Sequence, residues 1–131
     1  MLNVLMLVAA AAVQQAPDCK DPQTQADMNI CSGIAYKAAD AVMSREYEVV
    51  AARMKTMDSN AGQIDDGRPG YFAVFLDSQR AWLKFRDAEC VVEGYYARGG
   101  TLEPLLVSSC FEELTKQRTD QLQSLDKMFN E

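Results

Sequence analysis

The chain has 131 residues, 48% of them hydrophobic, with 19 acidic and 13 basic side chains, a formal net charge of −6 and no histidine. An acidic surface repels phosphate backbones and attracts basic partners, and no Lys/Arg stripe with interleaved aromatics overrides that, so a nucleic-acid role is excluded. Without histidine or a Cys-x-x-Cys pair the usual nucleophile–base couples and zinc sites are missing, so the sequence nominates no catalytic residue, metal ligand or cofactor.

Met1 to Val13 is a nearly unbroken apolar run without a charged residue, and it closes on Ala9-Ala10-Ala11-Ala12. That length followed by small residues fits a signal peptide, with cleavage after Ala12, and is too short for a membrane span. Residues 1–17 are therefore expected to be a leader, 18–131 a single exported domain, and the protein periplasmic or secreted. Ala16-Pro17-Asp18 before Cys19 is not a Leu-small-small lipobox, so Cys19 is not read as a lipidation site. All the charged residues fall in the mature part, which keeps the full −6.

Three segments carry helical periodicity. The first is expected from Thr24, where Thr24-Gln25-Ala26-Asp27 resembles a capping box, to about Met57. Its stripe of Tyr36, Asp40, Met43, Tyr47, Val50, Met54 and Met57 places one acid among apolar side chains, and Asp40 needs a partner. Gly33 is expected to let a neighbouring helix approach. Residues 58–70 are polar and glycine-containing and read as a loop; counted from Asp58, the sixth and twelfth positions are Gln63 and Pro69, which rules out an EF-hand. The second helix spans about Tyr71 to Ala97, with Phe72, Phe75, Leu76, Gln79, Trp82, Leu83, Arg86 and Cys90 on one face. Gly99-Gly100 ends it. Thr101 then caps a third helix, reaching about Phe129, with Leu105, Cys110, Leu114, Gln117, Arg118, Gln121, Leu122, Leu125 and Phe129 turned inward. The fold class is all-α: an elongated, antiparallel three-helix bundle stapled at one pole.

An even cysteine count behind an export signal means oxidised pairs. Cys19, Cys31, Cys90 and Cys110 all fall at the pole shared by the start of the first helix, the end of the second and the start of the third, and geometry alone leaves three connectivities open. Sequence-local pairing favours Cys19–Cys31 with Cys90–Cys110, each contributing on the order of 3 kcal/mol in the chain-entropy model.

Cys19 and Cys31 flanking a polar helix start, Ala39-Asp40, Tyr47, the block Gln79-Arg80-Ala81-Trp82-Leu83-Lys84-Phe85-Arg86-Asp87-Ala88-Glu89-Cys90, Gly99-Gly100, Cys110 and Leu114-Thr115-Lys116-Gln117-Arg118 with Leu122 together resemble the LprI-type lysozyme inhibitor domain family. The resemblance covers residues 19–125. Met43-Ser44 departs from the Leu-Asn usual there, which keeps core volume and reduces an amide to a hydroxyl. It implies a helical exported domain and, for some members, inhibition of c-type lysozyme. Ser32-Gly33-Ile34-Ala35-Tyr36 also matches a Ser-Gly-x-x-Tyr pattern from a β-barrel class of lysozyme inhibitors, but here it falls inside a helix and reads as coincidence.

Asp40, Gln79, Trp82, Arg86, Asp87 and Arg118 are read as a structural polar core, in which Arg86 meets Asp40 or Asp87, Arg118 meets the other carboxylate and Trp82 packs on a guanidinium. Asp87 and Glu89 do not form an acid/base pair, because neighbouring helical positions point apart. Tyr95, Tyr96 and Arg98 before the glycine pair are the partner-binding candidates, since Tyr and Arg anchor protein interfaces. The acidic loop with Asp58, Asp65 and Asp66 is a candidate for steering a cationic partner. The sequence thus predicts a protein-binding domain, most concretely a c-type lysozyme inhibitor that occludes the enzyme's cleft; the competing reading is an envelope or stress-associated structural module without that activity.

Overall fold

The computed structural model describes residues 15–60 and 65–130; the expected leader and its cleavage point fall mainly outside them. Three helices make up the fold: α1 (Gln25–Ser59), α2 (Tyr71–Gly94), extended by a 3₁₀ turn over Tyr95–Ala97, and α3 (Glu103–Met128). No helix among the described residues is long and apolar enough to cross a membrane.

The ends of the helices follow from local chemistry. Thr24 caps α1 as its sequence requires, its hydroxyl accepting the Asp27 amide at 3.0 Å. The cap of α2 comes from elsewhere: the Asp58 carboxylate, at the end of α1, accepts the amides of Tyr71 at 2.7 Å and Phe72 at 3.0 Å. Gly70 stands at the N-cap position without a side chain, and a Cβ there would lie 2.7 Å from the Asp58 carboxylate oxygen. The glycine makes room for a carboxylate that satisfies two of the orphan donors and faces the positive end of the helix dipole.

Thr101 does not cap α3. Gly99 adopts φ +78, Gly100 closes a turn onto the Ala97 carbonyl, and the helix starts only at Glu103, with no side-chain cap from Leu102. Glu103 instead reaches back, its carboxylate accepting the Gly99 amide at 2.7 Å. The Thr101 carbonyl accepts the Asn29 side-chain amide at 2.9 Å, which ties the turn to the first helix.

The contacts between helices define an up-down-up bundle. Pairs between α1 and α3 rise together along both helices, from Asn29 with Thr101 through Tyr36 with Phe111 to Arg53 with Asp126, so these two run parallel. Met43 with Gln79 and Tyr47 with Phe75 set α2 antiparallel to α1. The α1–α3 interface is the broadest and the α1–α2 interface the thinnest. Both cystines form as sequence-local pairing expected, Cys19–Cys31 and Cys90–Cys110, each with its Cα atoms 5.4 Å apart.

Along this axis the interior changes character. The end away from the cystines holds the apolar core: Met43, Val50, Ala51, Met54, Phe75 and Leu122, with Tyr47, Met57, Phe72, Trp82 and Leu125 against it. The inward face of α3 is rotated from the expected one. Thr115 and Thr119 are buried, whereas Gln117, Gln121 and Phe129 are exposed. Because α3 packs against two helices, its buried arc centres on Arg118 and Leu122 and takes in the threonines; the Thr119 hydroxyl returns to the helix backbone, donating to the Thr115 carbonyl at 3.1 Å, and the Thr115 hydroxyl faces Arg86.

A Cβ added to Gly33 would meet nothing within 4 Å, so this glycine does not serve a close helix approach. Gly94 does: a Cβ there would clash with Val107 Cγ2, one turn beyond the Cys90–Cys110 bridge. Gly33→Ala is therefore expected to raise stability by about 0.5–1 kcal/mol, as helix propensity dictates. Gly94→Ala is expected to lower it by about 1–3 kcal/mol through overpacking. Opposite shifts in the urea midpoint check the pair.

Candidate functional site

The middle of the bundle is built around one guanidinium. Arg86 projects from the inward face of α2 and is buried, and its Cζ lies 5.6 Å from the Tyr36 ring, 5.1 Å from Trp82 and 5.2 Å from Phe111, one ring from each helix. Tyr36 and Phe111 stack with centroids 5.0 Å apart. The N–H groups point at polar atoms between these rings. Nε and Nη2 donate to Asp87 Oδ1 at 3.0 and 2.9 Å, while Nη1 lies 3.4 Å from Asp40 Oδ1 and 3.5 Å from Thr115 Oγ1. The planar cation thus sits among three rings at cation–π distance and is hydrogen-bonded at its edge, a use of arginine that lysine cannot reproduce.

Arg118 occupies the next level. It meets no carboxylate among the described residues: its Nε donates to Gln79 Oε1 at 2.9 Å, Nη1 to Gln121 at 3.1 Å and Nη2 to Ser78 at 3.3 Å. This corrects the expected pairing of Arg118 with Asp40 or Asp87, both of which belong to Arg86. Gln79 completes the chain by donating to Met43 Sδ at 3.3 Å. Trp82 stands between the two cations, 5.8 Å from Arg118 Cζ. Burial lowers the pKa of Arg118, since desolvation disfavours the charged form.

All six residues of the anticipated polar core, Asp40, Gln79, Trp82, Arg86, Asp87 and Arg118, therefore join one network. Among the described residues no buried side-chain nitrogen or oxygen lacks a partner. Six members escaped the sequence reading of this core: Tyr36, Met43, Ser78, Phe111, Thr115 and Gln121. Their signal lay in register, because Cys90–Cys110 pins α2 against α3 and sets Arg86 opposite Thr115 and Gln79 opposite Arg118. A groove of about 490 Å³ between α1 and α2 opens onto this centre, lined by Tyr36, Asp40, Tyr47, Gln79, Arg80 and Arg86 among others.

The second candidate is the cystine pole. Tyr95 and Tyr96 lie in the 3₁₀ turn, and both rings face solvent, Tyr96 at 89% exposure. Arg98 is exposed too and stacks its guanidinium 4.5 Å over the Tyr95 ring. The acidic loop is less free than expected, since Asp58 caps α2 and Asp66 pairs with Arg68. That hydrogen bond from Arg68 holds the Asp66 carboxyl below its usual value. Ser32-Gly33-Ile34-Ala35-Tyr36 lies wholly inside α1, with Ser32 bonded to the Asn29 carbonyl, so it forms no cleft-entering loop.

The described residues thus define a small all-helical domain stapled by two local cystines around an arginine–aromatic centre. This chain belongs to the LprI lysozyme inhibitor family, whose pattern, described as "Lysozyme inhibitor LprI", matches residues 18–122. A protein of Rhizobium meliloti strain 1021, described as uncharacterized, is 43% identical over 116 residues, which cover 88% of this chain and 84% of that protein. No solved structure matches.

The geometry ranks the two arginines. Asp40 and Asp87 side chains are 41% and 60% exposed, so removing Arg86 orphans no deeply buried carboxylate; it empties a three-ring cage and leaves two like charges facing the same gap. Arg86→Met is expected to cost about 2–4 kcal/mol in urea unfolding, in the range of core truncations. Arg118→Met, which removes a buried cation with no carboxylate partner, is expected to cost about 1 kcal/mol or less. Equal losses would show that the cage contributes nothing of its own.

Tyr36 adds a pH dependence. Burial raises its pKa, the Arg86 guanidinium pulls the other way, and Asp40 and Asp87 push it up again. A raised folded value means the phenol's contribution is complete below the unfolded value and is lost as pH rises through the folded one. Stability should therefore fall as pH rises above about 10, where tyrosine ionises, and Tyr36→Phe should flatten that part of the curve. Urea midpoints across that range give the measurement.

Proposed function

We propose that this chain is an exported inhibitor of c-type lysozyme that presents the cystine pole to the enzyme and occludes its cleft. Membership of the lysozyme inhibitor family over residues 18–122 carries the reading. Two cystines support export, because such bonds persist in oxidising compartments, periplasmic or extracellular.

The arrangement of charge and aromatics supports inhibition by binding rather than by chemistry. The buried polar network holds helices together, and the polar centre is read as scaffold. Tyr95, Tyr96 and Arg98 supply the side chains that dominate protein interfaces, on a turn braced by Cys90–Cys110 below and by Glu103 and Asn29 beside it. A braced anchor loses little conformational entropy on binding. The net charge of −6 favours encounter with a basic enzyme.

Purified mature domain at stoichiometric ratio is expected to slow clearing of a cell-wall suspension by c-type lysozyme. In surface plasmon resonance the association rate should fall as salt rises toward a Debye length of about 8 Å at 0.15 M. Tyr95→Ala with Tyr96→Ala should act on dissociation, since it removes anchors and leaves the long-range field intact. No binding at low salt and tens of micromolar protein would sink the inhibitor reading.

A further inference from the structure

A surface helix ordinarily turns its charged residues outward. The second helix does the reverse along one line. At about 100° per residue, Val74, Ser78, Ala81, Phe85, Ala88 and Val92 fall within an arc of about 80° centred on Val74 and turned away from Gln79 and Arg86. All six are exposed, Phe85 at 54% and Val92 at 64%, and no charged residue interrupts them over about 27 Å of helix. The line runs on at its C-terminal end into Tyr95 and Tyr96.

We infer that this outer face of α2 is the surface on which the chain docks its target, a basic protein with an apolar centre; the inference rests on the inhibitor reading and extends it from the cystine pole to the length of the helix. Charge decides the occupant. Asp77 and Lys84 flank the line on one side, Glu89 and Glu93 on the other, so three acids face one base around an apolar centre. A second copy would bring the same acids, and another −6, against these; a cationic partner is attracted by both. An apolar core ringed by complementary charge is the anatomy of a protein interface. The face is also stiff, because α2 is anchored by Asp58 at its first turn and by Cys90–Cys110 near its last.

The test uses the mature chain with Phe85→Asp and Val92→Asp together, and as a control Val42→Asp with Val49→Asp, which adds the same charge at exposed positions on α1 away from the cystine pole. Added acid speeds encounter with a basic enzyme, so a loss of affinity has to come from the apolar contact. Affinity for c-type lysozyme is expected to fall about tenfold or more for the α2 pair and to change less than about twofold for the α1 pair. Thermal unfolding verifies that each variant is folded, and Phe85→Ser with Val92→Ser repeats the test without the charge. Unchanged affinity in the α2 variants overturns the docking face while leaving the inhibitor reading intact. Absence of binding by the unsubstituted chain overturns both. A dimer in sedimentation that the α2 pair converts to monomer overturns the inference in favour of a second copy as the occupant.

Discussion

Burying the guanidinium of Arg86 is the constraint that organises the bundle. A charge taken out of water is costly unless its hydrogen bonds and its faces are both satisfied. Here the requirement recruits every helix: Tyr36 and Asp40 from α1, Trp82 and Asp87 from α2, and Phe111 and Thr115 from α3. Any slip of one helix past another by a turn would break two or three of these contacts together. An apolar centre of the same volume would tolerate such a slip; this one does not. The polar level therefore fixes register, and the methionine-rich apolar end, which is adaptable by nature, is free to supply burial without having to specify alignment.

Around that level the structure divides its tasks along the axis. The far end provides hydrophobic burial, with Arg53–Asp126 closing its rim at 2.7 Å. The near end provides covalent closure and a short, well-braced turn that carries exposed tyrosines. Groups that hold the fold are thus placed away from groups that face outward, which lets the outer surface vary without loosening the centre. α2 contributes to both, with Arg86 turned inward and Phe85, its neighbour in sequence, about 100° away around the helix and exposed.

Much of this was legible from spacing. Intervals of three and four placed Gln79, Trp82 and Arg86 inward, Thr24 announced the first cap, and local pairing identified both cystines. What failed did so for a physical reason. Periodicity gives the face of a residue, not its height relative to a neighbouring helix, so Arg118 was matched to a carboxylate that lies a level away from it. The same limit hid the distinction between Gly33 and Gly94: both sit in helices, and only the proximity of Val107 makes one indispensable. Asp58 as the cap of α2 was invisible because its partners are 13 and 14 residues further on, across a segment that carries no periodic signal. The rotation of α3 followed from two packing partners, which widen a stripe into an arc.

The cystines close short loops, 12 and 20 residues in separation, whereas the contacts that join α1 to α3 span 72 to 77 residues. Long loops are slow to close, since the chain gives up entropy before any long-range contact forms. Neither bridge crosses that gap. Cys90–Cys110 clamps α2 to α3 as a hairpin, and Cys19–Cys31 ties the N-terminal segment to α1, so each sulfur finds its partner within its own part of the chain. Oxidation can then precede the docking of α1 on the hairpin, and the native bonds do not wait for the native fold. For a chain that acquires its disulfides in an oxidising compartment, the layout lets both bridges form without waiting for the slower closure of the long α1–α3 loop.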